Sequence, residues 1–271
     1  MRLVLRLECQ DSKRLSINYN YSLASSIYNL LHFGSPEFTK FLHDAGYIYE
    51  HKTYKLFTFA LKFENAIIRA SVPAGKDSHF ILKSPNAVLY ISSPMIDTFI
   101  QNFVVGTFET QSLVINGDNT FARFKISSIE SLPEIQITNR MKFSLLSPLV
   151  LSTKKNHNGQ LKQYYLRPDD TDEINRVLTQ NLINKYKLIY KNDIKTDNLS
   201  LEWDNDYLKS RERVTKKVSI TKNGIPPVDI IGIQAPFTLT GNPELIKTGY
   251  ECGYGEKNSM GFGLADTDFT D

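Results

Sequence analysis

The first residues of the chain follow a period of two: Leu3, Leu5 and Leu7 alternate with Arg2, Val4 and Arg6, nearly the pattern of a half-buried strand. From Tyr21 to Phe33 the spacing becomes helical, with Leu23, Ile27, Leu30 and Leu31 on one stripe and Gly34 as the stop. Ser35 and Pro36 then supply the cap and first position of a second, short helix that Gly46 closes. Strands are predicted over Tyr54 to Phe63, Ala66 to Val72 and His79 to Lys83. A helix is predicted from the Ser93-Pro94 cap, burying Ile96, Phe99, Ile100 and Phe103. Strands around Thr107 to Ile115 and Phe121 to Ile129 complete a strand–helix–strand–strand–helix–strand order, which is ferredoxin-like.

After Pro133 to Arg140 a similar order begins again. A strand is predicted at Lys142 to Ser152, then a polar loop with Asn156, Asn158 and Gly159. A helix follows from Thr171 to Tyr190, opened by Asp170 with Glu173 at capping-box spacing and striped by Ile174, Val177, Leu178 and Leu182. Strands at Leu199 to Trp203, Arg213 to Thr221 and Ile230 to Thr240 precede a short helix from Pro243 to Thr248. The expected class is therefore α+β, two tandem ferredoxin-like (RRM-like) domains over residues 1–132 and 133–271 with a C-terminal glycine-rich loop. The duplication rests on element order, since no sequence repeat is visible. Single-stranded RNA modules share this frame, but a frame alone does not set function.

Composition narrows the classes. With 41% hydrophobic and 23% charged residues in 271, the chain can bury a substantial core. It shows neither a signal-peptide pattern nor an apolar run approaching the ~18 residues of a membrane span, so a cytoplasmic protein without a membrane partner is expected. Two cysteines, Cys9 and Cys252, exclude a disulfide framework and a thiolate zinc site. The net charge of +3 is small but unevenly spread: Met141 to Lys222 holds 16 Lys+Arg against 10 Asp+Glu, and the residues from Asn223 onward hold 2 against 7. Arg211, Arg213, Lys216, Lys217 and Lys222 fall in and around a predicted strand beside a turn at Asn223-Gly224. One face of that strand could present cations to a nucleic-acid backbone; solvated protection of a sheet edge is the competing account. The carboxylates offer no rival centre, because Asp169, Asp170, Asp172 and Glu173 crowd a helix start where capping and dipole compensation explain them. No metal site and no cofactor are expected.

The most specific local feature is the stretch from Gly249 to Gly263, in which five glycines crowd fifteen residues beside Lys257 and Asn258. It has no Gly-Lys-Ser/Thr ending and lacks the strand-before, helix-after setting of a dinucleotide loop. Either it presents backbone N–H groups to phosphates or it is a tightly packed linker. The run Gly253-Tyr-Gly-Glu-Lys-Asn-Ser-Met-Gly-Phe-Gly263 closely resembles the C-terminal glycine-rich signature of the CRISPR repeat-processing endoribonucleases, within the repeat-associated RNA-binding superfamily. The resemblance extends to the opening strand, the Tyr21 to Leu31 helix and the Tyr54 to Leu61 strand, and fades between Pro73 and Leu201. It implies two ferredoxin-like domains side by side, with Gly253, Gly255, Lys257, Asn258, Gly261 and Gly263 holding RNA near the cleft between them.

RNA carries its own nucleophile. Cleavage beside a 2′-hydroxyl needs a proton acceptor, a proton donor for the departing 5′-oxygen and positive charge for the pentavalent transition state, with no metal required in principle. Histidine suits the proton transfers, and His32, His43, His51, His79 and His157 are not separated by their spacing. The family pattern does separate them. It has a tyrosine in an Ile-Tyr-Asn run of the first helix, a histidine in a Leu-His pair after the second, and a lysine opening the next strand; Tyr28, His43 and Lys55 fill these places. The resemblance thus implies that Tyr28 holds or deprotonates the 2′-hydroxyl, His43 transfers a proton, more naturally as the acid, and Lys55 stabilises the phosphorane. The products would be 2′,3′-cyclic phosphate and 5′-hydroxyl ends. The implied partners are CRISPR repeat RNA, single-stranded or hairpin, and other CRISPR-associated proteins, with the chain a monomer or homodimer. A non-cleaving RNA-binding subunit of a CRISPR interference complex is the alternative on the same fold. Without the resemblance, Tyr28 reads as an extension of the buried face beside Ala24 and Leu31, and Lys55 as a strand-edge charge.

Overall fold

The architecture is that of a computed structural model, which describes residues 1–11, 14–69, 78–117, 120–157, 159–194, 198–222 and 225–267. In chain order the first elements are β1 (Arg2–Cys9), β2 (Arg14–Ser16), α1 (Asn20–Gly34), α2 (Pro36–Asp44), β3 (Tyr47–Tyr49), β4 (Lys52–Tyr54), β5 (Thr58–Phe63), β6 (Ala66–Arg69), β7 (His79–Leu82) and β8 (Asn86–Ser92). A wide turn over Ile96–Ile100 leads into α3 (Gln101–Thr110), β9 (Ser112–Gly117) and β10 (Thr120–Ser131). Then come β11 (Arg140–Leu145), β12 (Ser152–His157), β13 (Gln160–Tyr165), α4 (Thr171–Tyr190), β14 (Leu199–Trp203), α5 (Asn205–Ser210), β15 (Thr215–Lys222), β16 (Ile225–Ile233), β17 (Phe237–Gly241), α6 (Pro243–Cys252) and β18 (Ala265–Asp266). They form two compact units. One comprises Met1–Gly46, Ala60–Pro133 and Val218–Val228, the other Tyr47–Phe59, Glu134–Lys217 and Asp229–Asp271.

The sheet of the first unit has the order β5-β8-β1-β10-β9. β1 is central, paired from Arg2 to Glu8 with β8 and from Leu3 to Cys9 with β10, both antiparallel. That position explains why Val4 is buried along with Leu3, Leu5 and Leu7, where simple alternation exposes it. β8 has no counterpart among the predicted strands: its run Ala-Val-Leu-Tyr-Ile is apolar at both parities, so periodicity does not mark it. The predicted strand at Thr107 begins later, at Ser112. Thr107 and Thr110 remain helical because their hydroxyls donate to the carbonyls of Phe103 (2.8 Å) and Gly106 (3.0 Å), one turn back. Phe99, Ile100 and Phe103 are buried as expected, whereas Ile96 is 42% exposed. The Ser35 cap forms as predicted, its side chain accepting from the Phe38 N–H at 3.2 Å.

The strand expected over Tyr54 to Phe63 is interrupted at residues 55–57. Leu56 takes a left-handed φ of 53°, which separates β4 from β5. β3 and β4 form a hairpin closed by Glu50 and His51, both at positive φ (45° and 63°), the handedness a two-residue turn requires.

In the second unit the sheet runs β14-β17-β11-β18. The apolar stripes of α4 (Ile174, Leu178, Leu182) and α6 (Leu245, Ile246) join Phe143, Phe237 and Leu239 in one core. Asp170 makes no side-chain cap to α4, contrary to the capping-box expectation. Its carboxylate instead accepts from the Arg167 N–H (2.8 Å), the Tyr164 hydroxyl (3.1 Å) and Lys155 Nζ (3.2 Å). Glu173 pairs with Arg176 rather than reaching back. The predicted strand over Ile230 to Thr240 is two, β16 and β17, and α6 runs on to Cys252. The expectations at Val72, Asn158 and Asn223-Gly224 lie outside the described residues.

Counting β1, β5, β8 and β10 in one unit, and β11, β14, β17 and β18 in the other, both sheets have the order 2-3-1-4, the ferredoxin-like arrangement. Phe124, fully buried on β10, tests the first core. Phe124→Ala is expected to lower unfolding free energy by about 3–5 kcal/mol in urea titrations, while Lys125→Ala next to it, on the exposed face, stays within about 0.5 kcal/mol of wild type.

Candidate functional site

A single residue, Ser35, joins α1 to α2, so the second helix folds back beside the end of the first. Tyr28 and His32, four apart on α1, share a face. With Pro36, Glu37, Thr39, Lys40, His43 and Asp44 of α2 they line one open groove of the first unit. The rings of Tyr28 and His43 meet edge to face, with centroids 5.8 Å apart and planes at 85°. Burial pushes the Tyr28 phenol up to about 12, so at neutral pH it is a hydrogen-bond donor and not a base. His43 Nδ1 lies 2.8 Å from Asp44 Oδ1. An ionised carboxylate can only accept, so in this pairing Nδ1 is the donor and Nε2 is left for proton exchange.

Lys55 belongs to the second unit. It is half-buried in the break between β4 and β5 and lines a pocket of about 430 Å³ with Lys52, Asn181, Lys185 and the segment from Gly255 to Met260. The floor includes Leu56 and Phe57, both buried. The structure thus brings Tyr28 together with His43, and Lys55 together with Gly255, Lys257 and Asn258.

The glycine-rich segment is the connection from α6 to β18. Its ends close where the Tyr254 N–H donates to the Gly263 carbonyl at 2.8 Å, and Tyr254 itself is fully buried with its hydroxyl on the Ile246 carbonyl (3.0 Å). Asn258 braces the interior: its Nδ2 donates to the carbonyls of Tyr254 (3.1 Å) and Phe262 (2.9 Å), and its Oδ1 accepts from Lys185. The amide predicted to face RNA is therefore engaged inside the loop. Gly255 (φ 71°) and Gly263 (φ 75°) occupy left-handed conformations in which an added Cβ would lie 2.3 Å from the Val150 carbonyl oxygen and 1.9 Å from that of Tyr254. Lys257 also adopts a left-handed φ, 60°, just ahead of the short turn Asn258–Met260.

Lys185 escaped the sequence reading. Only 2% exposed, it donates to the Gly253 carbonyl (2.7 Å), the Gly255 carbonyl (2.8 Å) and Asn258 Oδ1 (2.8 Å). A signal was present: Lys185 follows Leu178 and Leu182 at helical spacing, placing a cation on the buried stripe of α4. Its neighbour Asn184 donates to the Tyr54 hydroxyl at 3.1 Å, tying α4 to the segment that bears Lys55. Arg211, Arg213, Lys216 and Lys217 are exposed, the first two ahead of β15 and the others at its start; the strand predicted from Arg213 begins at Thr215. Lys217 pairs with Asp229 at 3.1 Å, and Arg211 lies over the Tyr207 ring.

Comparison with known proteins gives the family. Residues 131–267 match the model described as CRISPR associated protein Cas6, C-terminal, and residues 14–127 that described as CRISPR-associated protein Cas6, N-terminal. The chain belongs to the Cas6 family. The CRISPR-associated endoribonuclease Cas6 1 of Methanocaldococcus jannaschii is 33% identical over 265 residues, covering 97% of this chain and 91% of that one. The CRISPR-associated endoribonuclease Cas6 of Pyrococcus furiosus is 26% identical over 97% of this chain and 89% of its own length. Among solved structures, one titled CRISPR associated protein Cas6 superposes with a TM-score of 0.73 at 31% identity, over 99% of each chain. The product of a Cas6-related gene from Pyrococcus furiosus gives 0.80 at 23% identity, over 100% of this chain and 99% of that one, which supports the fold. This Cas6-family chain is accordingly a CRISPR-associated endoribonuclease.

Gly263→Ala tests the Cas6 glycine-rich loop as a packed structure. The clash with Tyr254 and the left-handed backbone are expected to cost about 2 kcal/mol or more, read as a lower urea midpoint with an unchanged m-value.

Proposed function

We propose that the chain cleaves CRISPR repeat RNA by attack of a 2′-hydroxyl on the adjacent phosphate, without a metal ion, leaving 2′,3′-cyclic phosphate and 5′-hydroxyl ends. The observation that carries this reading is the Tyr28–His43 pair in the α1–α2 groove, a phenol and an imidazole in ring contact on a surface open to solvent. His43, protonated on both nitrogens, gives the Nε2 proton to the departing 5′-oxygen while Asp44 holds the ring through Nδ1–H, and the 2′-hydroxyl proton passes to solvent water in the open groove. Tyr28 stays protonated at neutral pH and so positions the reacting ribose or phosphate by donation. Lys55 is assigned the charge that develops on the pentavalent phosphorus, and its neighbours Lys52 and Lys257 the flanking phosphates.

The glycines at 253, 255, 261 and 263 give the RNA-binding loop its shape, with Asn258 as its internal brace. Arg211, Arg213, Lys216 and Lys217 are proposed as exposed contacts to the RNA backbone farther from the cut. The working partner is CRISPR repeat RNA, single-stranded or hairpin.

A non-cleaving RNA-binding subunit is a second reading, favoured by the high pKa of the Tyr28 phenol, which leaves the α1–α2 groove without a tyrosinate base at neutral pH. One assay separates the two. Labelled repeat RNA incubated with wild-type protein in chelator should be cut to cyclic-phosphate ends, and His43→Ala should slow single-turnover cleavage by about 10²-fold or more with little change in affinity. Binding without cleavage by the wild type would establish the second reading.

A further inference from the structure

Neither the glycine-rich sequence nor the Tyr28–His43 groove assigns a role to Lys185. An ammonium group has three N–H donors, and here all three are taken by oxygens of the loop and its brace, at 2.7, 2.8 and 2.8 Å. Two of those oxygens are backbone carbonyls of Gly253 and Gly255, residues whose positive φ sets the path of the loop; the third belongs to Asn258, which binds Tyr254 and Phe262 with its other end. Deleting the amine would take a donor from three acceptors, two of them on Gly255 and Asn258, which line the pocket of Lys52, Lys55 and Lys257. All three acceptors are neutral, so the charge under the loop is offset only by the more distant Glu256 carboxylate, and a polyanion approaching the pocket would meet what remains.

We propose that Lys185 is the positioning residue of the glycine-rich loop: its ammonium holds Gly253, Gly255 and Asn258 in the one arrangement that accepts an RNA phosphate, and its charge adds to the attraction. The inference rests on RNA being the ligand of this loop, as argued above.

Burial pushes the Lys185 ammonium down to about 8. The charged or titratable groups around it are Glu256 in the loop, Cys252 on α6, Lys52, Tyr54 and Lys55 on the segment after β3, and Lys257. Cys252, pushed up to about 12 by burial, stays neutral in the range of interest. Raising the pH through about 8 removes one donor and the charge, so RNA affinity should fall. Stability should move the other way. The unfolded lysine keeps its ordinary value near 10.5, so between about 8 and 10.5 the unfolded chain binds more protons and this group's contribution to stability rises with pH.

The test measures dissociation constants for a labelled CRISPR repeat RNA from pH 7 to 9, beside thermal melts, for wild type and Lys185→Met. Wild-type affinity should weaken by up to about tenfold across the range without loss of melting temperature. K185M should melt several degrees or more below wild type because three acceptors lose their donor, bind at pH 7 about tenfold or more weakly, show a flat pH profile, and still cleave at saturating RNA. A folded K185M with wild-type affinity, or with the wild-type pH profile, overturns the inference. If K185M does not fold, the wild-type series decides: a flat affinity from pH 7 to 9 overturns the inference, and a fall at undiminished stability upholds it. Wild-type protein that binds repeat RNA without cutting it refutes the nuclease reading and leaves this inference standing.

Discussion

A charge buried without a partner is among the most costly things a protein can contain, and the second unit is arranged around one that is fully partnered. Lys185 stands on the same stripe of α4 as Leu178 and Leu182, yet its amine emerges beneath a loop that offers three oxygens at hydrogen-bonding distance. Two of these are carbonyls that turn inward because Gly253 and Gly255 adopt positive φ. The glycines thus serve the lysine as much as the loop. Asn258 extends the network to Tyr254 and Phe262, and Tyr254 anchors it in the core through Ile246. An irregular connection is thereby tied to the core through its own hydrogen bonds.

The fold was legible wherever hydrophobic spacing had a single interpretation. α1, α4 and the Ser35-Pro36 start of α2 follow directly from apolar stripes and caps, whereas the ferredoxin-like class was expected from element order without β8 or β18, a strand of each sheet. Legibility failed where two rules competed. β8 is apolar at both parities, so nothing marked it as the partner along the length of β1. Thr107 and Thr110 are good strand formers, but their hydroxyls bond back along the helix and keep them in α3. Asp170 and Glu173 have the spacing of a capping box, but local partners at Arg167, Tyr164 and Arg176 captured both carboxylates.

At the candidate site the division is similar. Tyr28 and His43 came from a family resemblance, and the short link through Ser35 explains why residues 15 positions apart have their rings in contact. Spacing alone could not select them, because the contact depends on the angle between two helices. Asn258 was legible as a residue of interest but not in its role: its donors serve the loop's own carbonyls. Lys185 was overlooked because a lysine on a long helix is ordinarily solvated, and its acceptors lie 68 to 73 residues away.

Each sheet places its earliest strand in the interior and completes that strand's pairing late. β1 waits for β10, more than a hundred residues on, and Ser144 and Leu145 of β11 pair with Asp266 and Ala265. Such long-range closure slows folding, since chain entropy must be lost before the contacts form. For a polypeptide emerging from the ribosome, the glycine-rich turn and the strand after it arrive when the helix that carries Lys185 is already made. That lysine lacks the loop's three oxygens until the loop reaches it, so closure of the loop and desolvation of the amine are a single late event.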